Sequence, residues 1–338
     1  MWYTVTVKGV SPVEFDLREQ NKQIRRHGNR AAWVVLTMQI ASAVCGVVIG
    51  VLRGLGMLDW LVLTETDEKL IPVDVTSYLL FQIGYYFLLM IIPILVGCLL
   101  LRKTGESPAP TQPVKAGTFV GLVFAGMGVF AFANFVSNYV VGLASAVGIT
   151  PAKIPETVDG TPLNLLLNLL STALLPAVLE ELLFRGVTVG LLRPIGDRTA
   201  VLMSAVLFAM AHGTLTQIPF AFILGLAFAF IYVRTNNILL VMLLHFINNG
   251  LAVMLEFALC YWPESQVMYL QYLAFAVMTL GGLIAVLLFT ARRNGPLQMM
   301  GDGDRPFAEQ WPRALFAPVS VVFLVLMLVE TLASVNFA

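Results

Sequence analysis

Long apolar runs alternate with short polar stretches along this 338-residue chain. The runs cover about 31–52, 77–101, 117–143, 163–192, 198–212, 217–233, 237–260, 267–290 and 314–335. A segment of about 20 predominantly apolar residues is long enough to cross a bilayer as a helix. The pattern therefore predicts an all-α polytopic membrane bundle of about 8–9 helices. The fifth and sixth runs are short and meet through "HGTLTQ". Ahead of the first run lies a polar segment, 1–30, expected to be a small cytosolic piece. The domain 31–290 would be the membrane core. A polar linker, 291–313, would then lead to a separate C-terminal membrane helix, 314–338.

Composition supports this picture. Hydrophobic residues make up 58% of the chain and charged residues only 12%, about half the charged share of a soluble domain. No cleavable leader is expected, because the first apolar run starts too far into the chain. The three cysteines, Cys45, Cys98 and Cys260, match no metal or disulfide spacing. The zero formal net charge gives no reason to expect nucleic acid. Lys and Arg do orient the chain. Lys8, Arg18, Lys22, Arg25, Arg26, Arg30, Arg102, Lys103, Lys115, Arg193, Arg198, Arg234, Arg292, Arg293, Arg305 and Arg313 fall on one side of the predicted bundle. The other side has only Arg53, Lys69 and Lys153, beside several acids. Basic loops stay in the cytoplasm. The expectation is an integral protein of a bacterial cytoplasmic membrane, N-terminus in the cytosol and C-terminus outside.

Against this apolar background "EELLFRG", 180–186, stands out. A charge at the bilayer centre costs about 2.5–3.5 kcal/mol even on lenient scales, so these side chains must face protein or water. Glu181 and Arg185 are four residues apart and can pair on one helix face. Glu180 is turned about 100° away and needs company from another helix. "FAMAH" offers Phe208 and His212, and "HFINN" offers His245 and Asn249, each pair four apart. Pro176, one turn before Glu180, frees the carbonyl of Thr172. Asn134 with Asn138, and Asn164 with Asn168, suggest hydrogen bonds between helices. Gly117 and Gly121 suggest a close helix crossing.

In this order the three segments match E-E-x-x-x-R, F-x-x-x-H and H-x-x-x-N. They resemble the CAAX-protease and bacteriocin-processing (Abi) family of intramembrane endopeptidases, whose best-known branch is the type II CAAX prenyl endopeptidases. The resemblance covers about 163–255. It implies an eight-helix peptidase core, against the nine runs here, with a catalytic cavity that opens toward the cytoplasm. By motif position, Glu180 and His212 would activate a water, and His245 and Asn249 would hold the oxyanion. Glu181, Arg185 and Phe208 would support them. The substrate would be a membrane-associated peptide or protein.

A second chemistry fits the same residues. His212, His245 and Glu180 form a known type of zinc set, with Glu181 as base. A metal-free site is the favoured reading, because Asn249 suits an oxyanion donor better than a zinc ligand. Other intramembrane proteases are not supported: H-E-x-x-H and G-x-S-G are missing, and "GDGD", 301–304, sits in a polar linker. Readings of another class are a transporter and a catalytically inactive binding or immunity protein. The sequence leaves the oligomeric state open.

Overall fold

The computed structural model describes residues 12–58, 61, 63–65, 70–102, 107–151, 155–291 and 305–337. The "GDGD" stretch and most of the 291–313 linker lie outside these residues. Ten helices follow in order: α1 (Pro12–Gly54), α2 (Val75–Leu101), α3 (Ala116–Ala146), α4 (Pro162–Leu192), α5 (Asp197–Met210), α6 (Ile218–Thr235), α7 (Ile238–Ala258), α8 (Glu264–Thr290), α9 (Phe307–Leu315) and α10 (Pro318–Ala333). Four three-residue strands form two antiparallel ribbons: β1 (Leu63–Glu65) with β2 (Leu70–Pro72), and β3 (Ile149–Pro151) with β4 (Val335–Phe337). The protein is a polytopic all-α membrane bundle, as its hydropathy pattern predicts.

Each predicted run finds a helix, but not all of them are membrane spans. Seven of the described helices are long and apolar enough to cross, and the bent pair α9–α10 makes an eighth. The segment expected at 198–212 does not qualify. As α5 it has 14 residues, about 21 Å at 1.5 Å per residue, against a hydrocarbon layer of about 30 Å. Gly213, at φ 62°, ends it early. The ends of the chain also differ from expectation. Residues 12–30 continue straight into the first span as part of α1, so this polar stretch is no separate piece. Part of the expected linker is helical too, and α9 meets α10 at a 65° bend.

The two ends of the bundle are chemically distinct. At the end carrying most of the Lys and Arg, His27 Nδ1 lies 2.7 Å from the Leu191 carbonyl, and Thr199 donates to Gln310 at 2.7 Å. The tight α6–α7 turn is also there. Asn236, in the left-handed conformation (φ 52°), ends α6, and the Asn237 side chain caps α7 through the Leu240 N–H at 3.0 Å. Arg193 holds Asn236 at 2.8 Å, and Ile238 N–H reaches the Pro110 carbonyl at 2.9 Å. This fixes the start of α7 and therefore the depth of His245. The ribbons β1–β2 and β3–β4 mark the opposite end. Because β3 follows α3 and β4 follows α10, the described C-terminus lies at the ribbon end, away from the start of α1.

The helices approach closely at glycines, and of the G-x-x-x-G pair only Gly121 takes part. Gly117 has nothing near its Cβ position, while Gly121 faces the Phe289 ring. The tight crossing is between α3 and α8, where a Cβ on Gly282 would lie 2.7 Å from the Gly128 Cα. Asn164 and Asn168 also depart from expectation: they bond Thr157 in the loop before α4 rather than another helix. Asn134 bonds Phe130 in its own helix. Gly282→Val is expected to destabilise the bundle by about 1–3 kcal/mol through overpacking. Gly117→Ala should leave the thermal midpoint in detergent unchanged.

Candidate active site

Helix α4 begins cleanly: Thr161 accepts the Asn164 N–H at 3.3 Å, and Pro162 takes the first turn, where its missing N–H costs nothing. It does not stay regular. Wide π-type turns run over Leu169–Leu174 and Leu182–Val189, flanking one ordinary α segment, Leu175–Glu181. Such bulges concentrate at functional sites. The regular segment carries Pro176, Glu180 and Glu181. The carbonyl that Pro176 leaves free is taken from outside the helix, since Asn249 Nδ2 donates to Thr172 O at 2.9 Å. The backbone fault in α4 is therefore a docking point for α7.

Glu181 is the hub of the site. One of its oxygens, Oε1, accepts from Arg185 Nη1 at 3.0 Å and from His245 Nδ1 at 2.7 Å. Both Glu181 and Arg185 have 0% side-chain exposure. The sequence indicates the Glu181–Arg185 pair; the link to His245 is visible only in three dimensions. The guanidinium is also sandwiched by aromatic faces. Its central carbon lies 4.3 Å from the Phe208 ring centroid and 5.6 Å from that of Phe228. Cation–π attraction partly replaces hydrogen bonds here, because Arg185 Nε and Nη2 have no hydrogen-bond acceptor. Phe208 further stacks edge-on against His212, with centroids 4.8 Å apart. That contact explains the spacing of the second motif.

Glu180 does find company on other helices. Tyr86 Oη of α2 donates to its Oε1 at 2.6 Å, and His245 Nε2 lies 3.9 Å from its Oε2. Tyr86 is absent from the sequence-derived set. A lone tyrosine in an apolar run carries no motif, and only the packing of α2 on α4 selects it. Asn248 is another addition, donating to Asn249 Oδ1 at 2.7 Å. His212 lies just past the end of α5, in the turn rather than on the helix face expected for it. Its Nδ1 donates to the Phe208 carbonyl at 2.8 Å, which leaves Nε2 to the cavity. Glu180, His212, His245, Asn249 and Phe208 all line one cavity of about 440 Å³, together with Tyr86 and Thr172. Glu181 and Arg185 form the packed layer behind it.

Zinc can be tested on these donors. Both rings use Nδ1 for a hydrogen bond and leave Nε2 free, the orientation that second-shell partners impose on metal-bound histidines. Yet among the described residues no three His, Cys, Asp or Glu side chains converge where a metal ion could be held.

Removing Arg185 should expose how much the hub depends on it. Arg185→Met leaves the Glu181 carboxylate buried with only His245 as partner. The expected loss is about 3–5 kcal/mol, read as a lower unfolding midpoint in detergent. The double variant Glu181→Gln/Arg185→Met should lose less, because no charge is then stranded.

Comparison with known proteins points to membrane peptidases. The family "Type II CAAX prenyl endopeptidase Rce1-like" matches residues 162–251, the stretch that holds all three motifs. The chain is also 25% identical over 201 residues to the Bacillus subtilis (strain 168) protein named "Putative membrane peptidase YdiL", covering 56% of this chain and 75% of that one. No solved structure matches at a significant level. On its segment 162–251, which supplies most of the cavity wall, the chain is similar to the CAAX-protease-like membrane peptidases.

Proposed function

We propose that the protein is a metal-free intramembrane endopeptidase in which Glu180 is the base. The observation that carries this reading is the placement of Glu180. It lies in the cavity wall, only 15% exposed, held by Tyr86 and facing the free edge of His245. Hydrolysis needs an activated water, a stabilised oxyanion and a proton for the leaving amine. Glu180 takes one proton from the water as the oxygen attacks the scissile carbonyl carbon. His212, with Nδ1–H committed to Phe208, accepts a hydrogen bond from the water's second O–H at Nε2 and so aligns the nucleophile; that proton stays on the attacking oxygen. When the C–N bond breaks, Glu180 returns its proton to the departing amine.

The oxyanion falls to α7. Asn249 uses one N–H on Thr172, and its second remains for the substrate oxygen. His245 donates Nδ1–H to Glu181, so it can donate from Nε2 only as the imidazolium. Glu181 is thus a positioning residue, setting the tautomer and direction of His245 much as a buried carboxylate orients a catalytic histidine.

Two experiments test the reading. Comparing the peptides of cells with wild-type protein and with Glu180→Ala should reveal products that vanish in the variant, while the variant still folds and inserts. An unchanged peptide set would sink the proposal. On a peptide found this way, Asn249→Ala should lower kcat by about a hundredfold or more, the usual cost of one oxyanion donor. Tyr86→Phe should cost about ten- to a hundredfold, since hydrogen bonds to charged groups are worth about 1.5–3 kcal/mol. Activity should survive exhaustive chelation; stoichiometric zinc on His212 and His245, with activity lost on its removal, would overturn the metal-free mechanism.

A further inference from the structure

The position of the cavity along the bundle has a directional meaning. Its floor lies on the side of the basic end, where Phe184 and Phe228 stand in front of the sealed Glu181–Arg185 pair. From there its walls climb only one way. On α2 the lining residues run from Met90, just past the middle of the helix, back toward the ribbon end as far as Gln82. On α6 they run from Phe228 back to Gln217 at its start, and on α5 they are the last residues and the turn that follows. The rim residues Thr172 and Gln217 are exposed. The 211–217 turn points toward the ribbon end, where Thr216 O accepts from Ser137 in the later half of α3 at 2.5 Å. Among the described residues, no loop at the basic end contributes to the lining.

The charge distribution is opposite to the mouth. Arg102, Lys115, Arg193, Arg198, Arg234 and Arg313 all lie at the closed end. The ribbon end carries Asp74, Glu156, Asp159 and Glu264. Basic loops are retained in the cytoplasm during insertion. A cytoplasmic mouth, as the family resemblance implies, and a cytoplasmic basic end cannot both hold in this fold.

We infer that the cavity opens on the extracytoplasmic face and takes its substrate from there. The substrate class follows, resting on the hydrolase reading of the site: an extended segment of an exported peptide, or of a membrane protein's outer juxtamembrane region. A cavity of about 440 Å³ admits a few residues of unfolded chain and no folded domain. A lipid-modified C-terminus displayed in the cytoplasm would meet the closed end.

Membrane-impermeant maleimide labelling tests the orientation. Cys45, Cys98 and Cys260 are first replaced by serine, and single cysteines are then introduced as Gln217→Cys at the rim and Lys115→Cys at the basic end. In intact cells Gln217→Cys should be labelled and Lys115→Cys should not; permeabilised cells should label both. The reverse pattern in intact cells overturns the inference. The substrate class is read from the cell peptides of a Glu180→Ala strain, which should retain uncut exported or outer juxtamembrane segments. Retention of cytoplasmic C-termini alone would refute it. An unchanged peptide set beside outside labelling of Gln217→Cys would instead refute the hydrolase reading and leave the orientation standing.

Discussion

One carboxylate oxygen organises this molecule. Glu181 Oε1 accepts from Arg185 on its own helix and from His245 on α7, in a place with no solvent exposure. A buried charge without a partner is among the costliest defects a fold can carry, so each of the three groups holds the other two in place. Glu181 and Arg185 fix the rotation of α4. His245 then fixes the rotation of α7 against it. Once both are set, Glu180 can only face the cavity, and the Phe208 and Phe228 rings close around the guanidinium. The chemistry stands at the edge of a structural ion cluster rather than inside it.

Backbone irregularity does the complementary work. A regular helix satisfies its own carbonyls and offers nothing to its neighbours. With Pro176 in the chain, the Thr172 carbonyl is open, and Asn249 fills it. The same amide that α7 uses to grip α4 also lines the cavity and keeps a second N–H to donate. The π-type turns on either side let α4 carry this fault without breaking, because their wider pitch absorbs the change in register.

How far the sequence reached can be judged residue by residue. The charged and polar positions in apolar runs were legible, because lipid makes each of them expensive and so informative. The i,i+4 spacing of Glu181 and Arg185 was enough to pair them. Nothing local could reveal that His245 joins that pair, since 64 residues separate His245 from Glu181. Tyr86 was hidden because tyrosine is ordinary in a membrane helix. His212 was placed on a helix because hydropathy does not register the positive-φ glycine that follows it. The helical state of the polar stretch of α1 was hidden for the opposite reason: loss of hydropathy does not end a helix when α9 and the end of α4 are there to pack on it. Composition reports the solvent of a segment more faithfully than its backbone.

The shortness of α5 reaches beyond the protein. A helix of about 21 Å in a layer of about 30 Å leaves several ångströms unfilled, and lipid answers such a mismatch by thinning locally. The polar 211–217 turn then draws the membrane surface down toward the rim of the cavity. Hydrolysis consumes one water per bond, in a place surrounded by hydrocarbon. On the proposed mechanism, the truncated helix would make the bilayer itself part of the supply line: a dimple beside His212, on the way from bulk water to Glu180.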